Sequence, residues 1–197
     1  MSPAPTVDRL ARLAAPAGYL AAALALAALP LFLVVVGSGT ISEAAESPTF
    51  YAPSLAALGS TIALLVALVG LYLSQAESLG AVGLAGFLAA LLGTALAVGA
   101  AWTYVFVVPY LADGAPGLAD SSTGSVLVGF VLSYLAMGLG WLLLAVVWLR
   151  RGVYRRWAVV FLVVGSLVTI VPIPSRTLLL CVAVACIAHF ARREDVR

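Results

Sequence analysis

The length of the uncharged apolar runs narrows most sharply what this chain can fold into. Six runs, at about 14–36, 53–73, 79–108, 126–149, 157–171 and 176–190, contain no Asp, Glu or Arg apart from Arg176 at the start of the last. A helix rises about 1.5 Å per residue, so about 20 such residues cross the roughly 30 Å of hydrocarbon in a bilayer. A soluble domain needs roughly 25% charged residues to keep its surface hydrated. Here the charged share is 9%, against 64% hydrophobic. The expected fold class is therefore all-α, an integral membrane bundle of six transmembrane helices in a single domain, 1–197.

Details of the runs refine this picture. The first is too long for the 7–15-residue apolar core of a cleaved signal peptide, and Pro30 should kink its outer third. Pro53 suits the first turn of the second helix. Ser74 and Glu77 have the S-x-x-E spacing of a capping box at the start of the third. That third run, 79–108, is longer than a bilayer needs, which implies tilt, a break or projection. Pro109 should close it, and the Gly-, Pro- and Asp-rich stretch 110–125 reads as irregular. The last two runs are short and read as two short spans, with a re-entrant hairpin as the alternative. Pro172 and Pro174 end the fifth run, and Ser175 is a natural N-cap for the sixth.

All ten basic residues are Arg, and the chain has no Lys or Asn. This composition suits a GC-rich prokaryotic genome. Without Lys no Schiff base can form, which excludes retinal and pyridoxal chemistry. The arginines are sorted along the chain. Arg9, Arg12, the 150–156 cluster, Arg192, Arg193 and Arg197 fall at one side of the spans. Glu43, Glu46, Asp113 and Asp120 fall at the other, with Arg176 alone among them. The positive-inside rule then places the chain in the cell membrane as a multi-pass protein with both termini cytoplasmic.

Chemistry within the membrane normally requires ionisable groups in the spans. The central parts of the runs offer only hydroxyls such as Ser60, Thr61, Thr94, Ser133, Tyr134, Ser166 and Thr169, which can bond to carbonyls or bridge helices. No catalytic, cofactor or metal site is assigned. His189 and Cys186 share a helical face, but two ligands do not make a zinc site. Cys181 and Cys186, about 140° apart on one helix, read as two apolar thiols. Arg150, Arg151, Arg155 and Arg156 form the densest charge cluster. They are candidates for anionic lipid headgroups at the cytoplasmic face, each basic residue adding about 1 kcal/mol near an anionic surface. Arg176 could pair with one of the outer acids or snorkel to phosphates. Gly83, Gly86, Ala90, Gly93 and Ala97 recur at spacings of three and four, a small-residue stripe that should pack another helix, of this chain or of a second copy.

Arg9 and Arg12 before Gly18-Tyr19-Leu20, the long third run, and Arg155-Arg156-Trp157 opening the fifth resemble a family of small bacterial six-helix membrane proteins of unknown function. The resemblance implies the six-helix fold and brings no substrate or catalytic residue. The leading expectation is a membrane protein without catalytic machinery that packs with lipid, a second copy or a partner membrane protein. A transporter for a small, weakly polar solute is the alternative, needing a polar cavity where hydroxyls converge. An intramembrane enzyme comes third, and nothing points to nucleic acid.

Overall fold

A computed structural model describes residues 5–120, 124–171 and 176–194. It is all-α, with no strand among the described residues. The chain enters through a short helix α1 (Pro5–Arg12) and continues as α2 (Ala14–Ala27) and α3 (Leu29–Ser38). The break falls at Ala28, two residues before Pro30, whose ring lies in the first turn of α3 where no N–H is needed. Gly39, at φ +81°, then turns the chain into α4 (Ile41–Glu46), which Thr40 caps by accepting from the Glu43 amide at 3.3 Å.

Helix α5 (Tyr51–Leu73) carries Pro53 in its first turn. The expected capping box after it does not form: Ser74 Oγ donates back to Leu71 O at 2.8 Å, and Gln75 takes the N-cap position of α6 (Ala76–Phe106) without a side-chain bond. A hydroxyl at a helix end is drawn to the nearest carbonyl without a partner, here that of α5. Gly80 has φ +60° and ψ −161°, a kink that only glycine adopts easily. Pro109 does not end helical structure. It opens a further helix, α7 (Val108–Gly114), and Pro116 opens α8 (Pro116–Ala119), so most of the expected irregular stretch is helical. Proline preset for a first turn restarts a helix as readily as it ends one.

Helix α9 (Gly124–Arg151) closes with Gly152 at φ +65° and a Val153 N–H···O=C Trp148 bond of 3.2 Å, the 6→1 closure of a Schellman turn. Helices α10 (Arg156–Ile170) and α11 (Leu178–Glu194) complete the chain. The proposed N-cap Ser175 and both prolines of the 172–175 segment lie outside the described residues.

The principal helices alternate in direction and form a ring in chain order, α2–α5–α6–α9–α10–α11, with α11 returning to α2 and also touching α5. Its interior is filled by Leu64, Leu68, Leu144, Leu162, Trp141 and Trp148, all without exposure. At one end α4 packs on α7 and α8 around Phe50, Val108 and Ala112 as a cap. Four helical stretches, Arg9–Val35, Tyr51–Leu73, Ala76–Gly114 and Leu127–Arg151, are long and apolar enough to cross a membrane; α10 and α11 are apolar but shorter.

Candidate functional site

The ring has two chemically opposite ends. Ala14 lies against Gly70, Arg151 Nη1 reaches Ser78 O at 3.5 Å, and Arg155 lies over Phe190, 4.9 Å from the ring centre. These contacts bring Arg12, Arg151 and Arg155 to one end. Arg150, Arg151, Arg155 and Arg156 are all exposed there, as is the single acid of the neighbouring turn, Glu77. The 152–155 loop is anchored by Tyr154, which lies edge-on to Trp148 at 5.0 Å and donates to Leu71 O at 3.4 Å. Trp157 packs on Phe190 beside it. The loop backbone is thus fixed by aromatic residues, while its guanidinium groups pair with no carboxylate among the residues whose side chains are described, an arrangement suited to phosphate.

At the other end Asp120 accepts from the Ser42 hydroxyl at 2.6 Å and the Ser42 amide at 2.8 Å, tying α4 to α8. The Ser42 hydroxyl above all, then its amide, holds the Asp120 carboxyl below its ordinary pKa of 3.8. Arg176 pairs with none of the outer acids that the sequence offered. Its guanidinium lies over the Tyr134 ring, 3.4 Å from the centre. The reason is depth. Helix α10, 15 residues long, rises about 22 Å, whereas α9 rises about 42 Å over 28 residues. Arg176, two residues before α11, therefore meets Tyr134 within the length of α9 and not the loops above it.

The hydroxyls of the interior do not gather around one cavity. Thr94 Oγ1 donates to Ala90 O at 2.7 Å, Ser166 to Leu162 O at 2.8 Å and Thr169 to Gly165 O at 2.8 Å, each one turn back in its own helix. Other interior side chains bridge helices: Trp141 Nε1 donates to Thr94 Oγ1 at 2.9 Å, and Ser60 Oγ donates to Ala21 O at 2.9 Å beside Cys181. Trp148 Nε1 is a buried donor without a partner among the described residues.

Of the small-residue stripe, Gly86 faces Leu144, and a methyl on Gly93 would overlap the backbone of Ala136 and Met137. Ala90 and Ala97 are fully buried. Gly140 answers from α9, where a methyl would stand 2.5 Å from Ala89 and Ala90 backbone atoms. Gly83 differs: its open side faces Leu79 of its own helix, across the Gly80 kink.

Sequence reasoning did not foresee the corner where α2 meets α5 and α11. There Tyr19 Oη lies 2.6 Å from Nδ1 of His189, a bond between residues 170 apart in the chain. Beside it is a cleft of about 630 Å³ whose polar lining comes from Arg12, Tyr19 and Ser74. Its remaining walls are alanines, Pro16 and Leu71. The signal in the sequence was faint: one tyrosine in the first run and one histidine at the end of the last.

The fold defines an all-α protein with four helices of membrane-spanning length and composition. No protein-family model, curated protein or solved structure matches the chain, and its functional reading rests on its own residues.

Proposed function

We propose that this chain is a multi-pass protein of the cell membrane that crosses it six times, with both ends and the 150–156 loop cytoplasmic. It packs with lipid or partner helices and holds anionic headgroups on Arg150, Arg151, Arg155 and Arg156, without chemistry of its own. One observation carries the reading: the bundle's surface is sorted. Leu33, Leu88, Leu92 and Leu132 point outward with half or more of their surface free, while the exposed arginines collect at one end. In water such outward faces would merge into an apolar patch far beyond what monomers tolerate. In lipid they are the natural surface, since every helix satisfies its own backbone. Local thinning of the bilayer would let the two short helices cross. Core hydroxyls already bonded to carbonyls favour packing over a solute path.

Single cysteines, placed in a chain with Cys181 and Cys186 replaced by Ala, test the topology with an impermeant maleimide on intact cells. Gly114→Cys and Thr177→Cys should label and Glu77→Cys should not. Labelling of Glu77→Cys but not Gly114→Cys would invert the orientation. Failure at Thr177 alone would reduce the protein to four spans.

A further inference from the structure

The corner between α2, α5 and α11 has the chemistry of a site rather than of a gap. A cleft of about 630 Å³ falls within the roughly 300–1,000 Å³ of small-molecule pockets. It opens at the basic end of the bundle. Its walls are drawn from Ala11 and Arg12 of α1, Tyr19 of α2, Leu71 and Ser74 at the end of α5, and Ala188 of α11. Arg12 is exposed and is the one charged residue among the described residues that line the cleft. Tyr19 is 41% exposed, yet its hydroxyl is held at 2.6 Å from His189. The corner itself is closely packed. Ala14 abuts Gly70 at 2.9 Å from where a methyl would stand, and Gly18 meets Ala185 at 3.3 Å in the same sense.

The lining discriminates between ligand classes. One guanidinium beside the Tyr19 hydroxyl suits a single anionic group such as a phosphate. The alanine and leucine walls would leave the hydroxyls of a sugar or the ring nitrogens of a base without partners, a loss that disfavours both. An apolar chain, by contrast, gains from them. Resting on the membrane reading above, we propose that this cleft is a saturable site for one anionic phospholipid, its phosphate held by Arg12 beside the Tyr19 hydroxyl and its acyl portion against the Ala–Leu wall. This site is separate from the arginine loop, whose exposed side chains hold headgroups diffusely.

Native mass spectrometry of the full chain in mild detergent tests the assignment, with dioleoyl phosphatidylglycerol, dioleoyl phosphatidylcholine and glycerol 3-phosphate as probes. The wild-type protein should retain one phosphatidylglycerol in preference to phosphatidylcholine. Arg12→Gln should raise its apparent Kd about tenfold, the effect of one charge-assisted contact of roughly 1.5 kcal/mol. Tyr19→Phe should raise it by a smaller factor, and both variants should unfold at the wild-type temperature. The Arg151→Gln/Arg155→Gln protein should lose weaker additional adducts and keep the first. Equal retention of the two lipids, or an Arg12→Gln protein that binds phosphatidylglycerol like wild type, overturns the site. Full displacement by millimolar glycerol 3-phosphate overturns the lipid assignment in favour of a soluble phosphate. A first adduct lost only in the loop variant also overturns the site while leaving the proposed function intact; cysteine labelling that finds no crossing sinks that function instead.

Discussion

Trp141 and Trp148 are both fully buried on α9, yet their indole N–H groups have opposite fates. Trp141 donates to Thr94, whereas Trp148 has no hydrogen-bond partner among the described residues. Stranding a buried donor costs about 1–3 kcal/mol, and removing a donor already stranded recovers some of that. Thr94→Val keeps the shape, loses the acceptor and should lower stability in detergent by about that amount. Trp148→Phe should be milder than Trp141→Phe, its lost volume being partly offset by the lost orphan; equal unfolding temperatures for the two would count against this account. Asp120 is a residue-scale case at the surface. Its folded pKa is depressed, so its contribution to the α4–α8 clasp is complete above the ordinary 3.8 and disappears as the pH falls from there through the folded value. Hydrogen exchange at the Ser42 amide should accelerate over that interval. Asp120→Asn should make the exchange insensitive to pH there, beyond its intrinsic chemical trend.

At the scale of elements, the α6–α9 seam decides how closely two backbones approach. Helices in lipid lack a hydrophobic drive to associate, so small residues that admit dispersion contacts take that role. The structure grades the glycines. A methyl at Gly86 meets Leu144 at 3.3 Å, which a slight shift accommodates, while at Gly93 it would enter the Met137 backbone. Gly86→Ala should therefore be nearly neutral. Gly93→Ala should lose about 1–3 kcal/mol by overpacking, and Gly93→Leu should unfold the protein. Leu92→Ala, on an outward face with 62% of its surface free, should be tolerated. Thermal unfolding in one detergent ranks the four, and a Gly93→Ala protein as stable as wild type would refute a tight seam. That Gly86, Ala90, Gly93 and Ala97 share one helical face was readable in the sequence, because period and residue size are local properties. That Gly83 turns toward Leu79 was not, because it depends on the left-handed Gly80 five residues into α6.

For the whole molecule, sidedness is the organising property. Replacing Arg151 and Arg155 by Gln should weaken retention of anionic lipid overall by about 1 kcal/mol per charge, and raising the salt should mimic it. Retention unchanged in that variant, measured by lipid co-purification, would reduce the loop to a topology signal. The long apolar helices and the division of basic from acidic loops were determined by the sequence, because each follows from residues near one another in the chain, whereas α7 and α8 fell in a stretch that reads as irregular. Breaks at Ala28 and beside Pro109 were half legible. Proline marks a discontinuity, but whether a helix resumes beyond it depends on packing, here of α3 and α7 around the cap built on Phe50. Only the tertiary structure decided that Tyr19 meets His189, that Thr94 serves Trp141, that Ser42 holds Asp120 and that Arg176 lies on Tyr134. Those partners are 170, 47, 78 and 42 residues apart. Their meeting is set by helix register and by the difference in height between α9 and α10, and neither is written in the hydropathy of any single run.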